Sequence, residues 1–163
     1  MAIKDALLPE FDEEMKTTRT LLERVPDAKA AWKPHPKSMS LGELAIHLAT
    51  MAGWTMPTLT QTQMDFAADF TPPVFGSTAE ALKVFDEAVA HARATIAATS
   101  DADFMVPWSL RRGDHVFFTL PRVVVLRSMV LNHAIHHRGQ LSVYLRLNDV
   151  PLPSIYGPTA DTH

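Results

Sequence analysis

At 163 residues the chain has room for one domain with a full core, and little for a second. Its 47% hydrophobic and 20% charged residues are those of an ordinary globular protein and exclude a disordered one. A net charge of -3 without any basic cluster excludes the electrostatic footprint of a nucleic-acid binder, and the absence of cysteine excludes disulfides, a thiolate nucleophile and a thiolate metal site.

A cysteine-free chain suits a reducing cytoplasm. The opening MAIKDALLPEFDEEM is acidic and lacks the basic, apolar, small-residue order of a secretory signal. No apolar run approaches the ~18 residues of a membrane span.

Helical periodicity predicts a first helix over about Pro9 to Val25, with Phe11, Met15, Thr18, Leu22 and Val25 on one face. Pro9 suits an early-turn position, where a missing N–H costs little. The connector PDAKAAWKPHPKSMS follows. Ser40 and Glu43 then form a capping-box pattern ahead of a second helix, LAIHLATMAGW, whose apolar stripe is Leu44, His47, Leu48, Met51 and Trp54. Pro57 kinks or ends it, and TLTQTQMDF is read as further helical turns. After a Pro-Pro-Gly loop, Ser77 and Glu80 repeat the capping box and open a third helix that buries Leu82, Phe85, Val89, Ala92 and Ile96.

Residues 101–118 alternate apolar and polar around Arg112, Gly113 and Asp114, which reads as a short hairpin or an irregular excursion. Thr119 is placed as the cap of a fourth helix, with Pro121 in its first turn, Asn148 near its end, and a length of about 27 residues. The tail DVPLPSIYGPTADTH, rich in proline, should lie extended over the surface. The expected fold is therefore all-α: one domain over 1–163, a four-helix bundle with a long excursion before the last helix.

Eight histidines are present, and their positions carry the information. His133 and His137 are four apart, so they share a face of the fourth helix, and that face continues as Leu126, Val130, Leu141 and Tyr144. His47 lies on the inward stripe of the second helix. Three buried imidazoles would repel one another if protonated, whereas a divalent metal takes one nitrogen from each neutral ring. An i,i+4 pair alone also occurs on solvated faces, and a lone core histidine can bond to a backbone or tyrosine partner. His136 falls on the flank of the stripe, while His35, His91, His115 and His163 read as surface or loop residues. The Glu-x-x-His pattern of di-iron bundles is missing from the second and fourth helices.

HHRGQLSVYLR followed by VPLPSIYGP, with AWKPHPKSMSLGELAIH upstream, resembles the DinB/YfiT-like family of metal-dependent enzymes over nearly the whole chain. The resemblance implies a divalent transition metal, nickel or zinc, held by His47, His133 and His137. It also implies a homodimer, and a reaction that uses a low-molecular-weight thiol such as mycothiol or bacillithiol.

Three neutral imidazoles leave at least one coordination position open, as in catalytic rather than closed structural sites. A thiol-dependent S-transferase or a hydrolase is the first expectation. A non-catalytic metal-binding stress or interaction protein with a structural metal is the alternative, and a metal-free helical module is the third. Among the neighbours, Arg138 and Arg146 could hold a carboxylate, or form solvated salt bridges or dimer contacts. Trp54 walls a pocket or packs as a plain core aromatic. Tyr144 could hydrogen-bond a ligand or simply pack, Tyr156 folds back over the helices, and Gly139 marks a close helix approach.

Overall fold

The computed structural model describes residues 2–68, 71 and 73–162. His163, read as a surface residue, lies outside them.

Helix α1 (Ile3–Leu22) begins a turn and a half before Pro9. Its first amides are satisfied from two places: the Asp5 carboxylate accepts from the Ala2 N–H at 2.9 Å, and Asp101, far along the chain, accepts from the Ile3 N–H at 2.9 Å. Pro9 is thus an exposed interior residue, and Leu7, Phe11, Met15, Thr18 and Leu22 are buried on the inner face. The next helix starts as its sequence dictates. Ser40 accepts from the Glu43 amide at 3.1 Å, and Glu43 accepts from the Ser40 amide at 2.6 Å, so α2 (Leu41–Thr50) opens with both halves of the box. It tightens into a 3₁₀ turn over Met51–Trp54 and resumes as α3 (Thr55–Thr60), with Pro57 in the first turn of the new segment.

The expected all-α class is overturned here. Gln63–Asp65, read as helical turns, is strand β1, and the excursion forms β2 (Pro107–Arg112) and β3 (His115–Pro121). β1 pairs parallel to β2, with Gln63 opposite Ser109. β2 pairs antiparallel to β3, with a bulge between Leu110 and Arg111, giving a three-stranded mixed sheet of order β1-β2-β3. Gly113 turns the hairpin at φ 58°, a left-handed conformation that favours glycine. Between β1 and the hairpin run α4 (Thr78–Ala98), capped by Ser77 accepting from the Glu80 amide at 3.2 Å, and the short α5 (Asp101–Phe104). Thr119 is a strand residue whose hydroxyl meets that of Ser109 at 2.7 Å, not a helix cap.

The last helix is continuous from Arg122 to Leu147 and changes pitch inside: α6 (Arg122–Val125), a π-helical stretch over Leu126–Asn132, then α7 (His133–Leu147). Helices α1, α4, α2 and α7 pack in a ring, each against the next, around Phe11, Leu44, Leu48, Phe85, Ile96 and Leu141. A smaller core of Met64, Trp108, Leu110 and Val125 lies under the sheet. Trp108 is fully buried, and its indole N–H donates to the Pro57 carbonyl at 3.1 Å, which ties the sheet to the helix after α2. No helix of the described residues is long and apolar enough to cross a membrane.

Candidate metal centre

The long helix supplies two imidazoles and α2 supplies the third. The His137 Nε2 stands 2.8 Å from that of His133 and 3.2 Å from that of His47. The three donor atoms lie within 4.8 Å of one another, and they are the one cluster of metal-ligating side chains among the described residues. His137 is buried, and His47 and His133 are half-buried beside it. His136 is exposed, with its ring against the edge of His137, and takes no part in the cluster.

What lies behind the rings decides which nitrogens carry protons. The His137 Nδ1–H donates to the Gln140 side-chain carbonyl oxygen at 2.7 Å. The Met129 backbone carbonyl beside the His133 ring raises that ring's value, as an acceptor of a ring N–H does. With the outer nitrogens of His133 and His137 protonated, their inner nitrogens are bare lone pairs facing each other at 2.8 Å. Two acceptors at that distance repel, and a cation between them removes the repulsion. Nitrogens bound to one ion at ~2.0–2.1 Å stand about 3.3 Å apart at the tetrahedral angle, close to the His47–His137 separation of 3.2 Å and somewhat wider than the 2.8 Å between His133 and His137. The donor set therefore fits a divalent transition ion.

The surroundings also favour neutral rings. His47 is pushed down to about 4, first by burial and then by its His137 and His133 neighbours. Burial is the largest cause of the lowered values of His133 and His137 as well, against the opposing hydrogen bonds to Met129 and Gln140. The sign of the pH effect follows. Unfolded histidines titrate near 6.5, so between about pH 4 and 6.5 the unfolded chain binds more protons than the native one, and stability rises with pH. Urea midpoints of metal-free protein should climb from pH 4.5 to 6.5 and level off above 7, with a shallower climb in His47→Ala. A midpoint that fell over this range would contradict the neutral-ring assignment.

Gln140 was not foreseen as a functional residue, although its position three after His137 on a helix is a usable signal. Its replacement by leucine leaves the His137 Nδ1–H without an acceptor. Metal affinity should drop about 10- to 100-fold, read by competition with a chromophoric chelator, with the helical circular dichroism unchanged.

His47 and His133 also wall a cavity of about 120 Å³, completed by Met51, Trp54, Phe66 and Met129. Trp54 thus takes the pocket-wall position among its two readings, with the Phe66 ring edge-on to it at 5.4 Å. Phe66 follows β1 and carried no signal in the sequence. The lining contains no carboxylate, lysine, serine or threonine, so the histidines are its only polar side chains apart from the Trp54 indole.

The remaining candidates lie elsewhere. Arg138, expected at the surface, is 1% exposed and turned toward α1. There it pairs with the Glu14 carboxylate at 2.6 Å and donates to the Glu14 carbonyl at 3.0 Å. Tyr156 folds back as expected: its hydroxyl donates to Glu14 at 2.9 Å and accepts from Arg138. Arg146 makes an exposed pair with Asp161. Tyr144 packs edge-on against Trp32 at 5.4 Å. Gly139 marks no close approach, since a Cβ built there meets nothing within 4 Å. His35 accepts from the Lys37 amide at 3.2 Å, His91 is exposed on α4, and His115 stands edge-on to Phe117 on the hairpin.

The chain matches the family model of the DinB superfamily over residues 10–141. A crystal structure of a DinB-like protein from Bacillus cereus superposes with a TM-score of 0.72 at 20% identity, covering 95% of this chain and 98% of that one. A second, from Bacillus subtilis, gives 0.68 at 17% identity over 96% and 98%. At these identities the likeness is one of fold. No curated protein matches.

Proposed function

This chain belongs to the DinB superfamily, and on that premise we propose that it is a divalent-metal-dependent enzyme that activates a low-molecular-weight thiol, or water, for transfer to an apolar substrate group. One observation carries the reading: three imidazole nitrogens converge, at 2.8 and 3.2 Å from that of His137, beside an apolar cavity whose lining offers no nucleophile. With no cysteine in the chain and no hydroxyl side chain in the lining, the attacking group must come from outside. His47, His133 and His137 would hold the ion, whose double positive charge would favour the deprotonated form of a thiol or water brought to the site.

The chain's own residues do the rest. Gln140 and the Met129 carbonyl keep the outer protons of His137 and His133 in place. Met51, Trp54, Phe66 and Met129 exclude bulk water from the cavity, where charge interactions are correspondingly stronger. The absence of carboxylates from the donor set leaves the ion's charge uncompensated, which suits binding of an anion such as a thiolate.

A structural metal is the competing reading, favoured by ligands that come from two helices 90 residues apart. Elemental analysis of protein purified without an affinity tag or chelator, followed by thiol titration of the cobalt-loaded form, separates the two. About one equivalent of metal and a visible spectrum altered by thiol support the enzyme. A bound metal whose spectrum no thiol alters, with no hydrolytic turnover, leaves the structural role. Protein that neither retains nor accepts a metal overturns both.

A further inference from the structure

A second and larger depression, about 560 Å³, lies against α2 and is lined by Lys33, Lys37, Ser38, Met39, Glu43 and His47 among others. It shares the His47 ring with the apolar cavity, so one imidazole stands between the two spaces. Its charges do not cancel. Glu43 is committed twice, to the Ser40 amide at 2.6 Å and to the Lys33 ammonium at 3.3 Å, and these contacts hold its carboxyl below the usual range. Lys33 is thereby neutralised, while Lys37 has no carboxylate partner among the described residues. One positive charge is left over. Beside it Met39 is 42% exposed, an apolar surface left in contact with water at the same groove.

We infer that this groove holds the anionic end of an amphipathic organic acid, with the carboxylate at Lys37, the chain along Met39, and the opposite end reaching His47. This deepens the proposed function by naming its substrate class: a small molecule with a negatively charged head and an apolar or thiol-bearing reactive end. The two spaces differ as such a molecule requires. The outer one is open and carries the surplus cation, and the inner one is apolar and lined by no charged side chain. The attraction is a partly solvated charge pair, so it should add about tenfold in affinity and weaken as salt rises.

The test has two arms, so that this inference and the metal reading can fail separately. In the first, metal-free protein is titrated with hexanoate and with hexanol, and backbone amide NMR shifts are followed at Lys37, Ser38 and His47. Hexanoate should move these amides with roughly tenfold higher affinity than hexanol. Lys37→Ala should remove the difference, Lys37→Arg should keep it, and 1 M sodium chloride should shrink it. Equal affinities for acid and alcohol, or a preference that survives Lys37→Ala, overturn the inference. In the second arm, cobalt-loaded protein is titrated with 6-mercaptohexanoate and 6-mercaptohexanol. A tenfold preference for the acid, lost in Lys37→Ala, supports the whole substrate assignment. A spectrum that neither thiol changes, after a positive first arm, removes the thiol chemistry and leaves the anion groove standing.

Discussion

Replacing His137 by alanine is expected to end stoichiometric metal retention and to lower affinity for nickel or zinc by more than about 100-fold. Losing an outer-shell partner costs 10- to 100-fold, and His137 is the ligand nitrogen closest to both of the others, so its own loss should exceed that range. The stability consequences differ between the two forms of the protein. With metal at 1,000 times its dissociation constant the wild type gains about 4 kcal/mol, and the variant gains almost none. Without metal the two should lie within about 1–2 kcal/mol of each other. The variant gives up packing at a buried position and is relieved of a lone-pair clash at 2.8 Å. Melting curves with nickel, with zinc and with chelator read all of this at once. Equal metal-induced shifts in the two proteins would remove His137 from the site.

The largest effect on folding should come from Arg138→Met. The guanidinium is 1% exposed, and its ion-pair partner Glu14 has only 13% of its side chain exposed. Removing the cation strands the carboxylate with the Tyr156 hydroxyl as its remaining partner and takes away donors to the Glu14 carbonyl and the Thr18 hydroxyl. Breaking such a pair from one side costs about 3 kcal/mol, against 0–1 kcal/mol for an exposed pair. Adding Glu14→Gln should recover part of the loss, because a neutral amide is cheaper to leave buried than a charge. Urea unfolding measures both steps, and a single-variant loss under about 1 kcal/mol would show that the pair is effectively solvated. Metal content should stay at the wild-type level, since Arg138 faces α1 and the histidine cluster faces α2.

These two residues, adjacent in the chain, also show what the sequence revealed and what it hid. His133 and His137 could be placed because four-residue spacing fixes a shared face, and the apolar residues on that face say it is inward. His47 followed by the same rule on a helix whose start was written locally in Ser40 and Glu43. Arg138 was misjudged because one inward stripe was assumed. α7 packs against both α2 and α1, so a second face is covered, and the arginine there is neutralised by a glutamate more than a hundred residues away. The early start of α1 had the same origin, since the carboxylate accepting from the Ile3 amide belongs to Asp101.

The sheet was half legible. Alternation around Gly113 pointed to a hairpin, and a hairpin formed. β1 could not be read, because three residues give no period and the strand exists only through its pairing with Ser109, Leu110 and Arg111. Thr119 was taken for a cap on local grounds, and pairing with the neighbouring strand decided otherwise. The pitch change at Leu126–Asn132, just ahead of His133, left no mark in composition.

The separation of the three histidines along the chain bears on when a metal could bind during synthesis. His47 leaves the ribosome long before His133 and His137, 90 residues behind at the farther end. A nascent chain that has made α2 offers only one of the three imidazoles of the site, which cannot hold an ion against cellular competitors. The site comes into being only once α7 has emerged and docked against α2. On the proposed function, metallation would follow folding, and the identity of the ion would be settled by what the surrounding compartment makes available to a finished pocket.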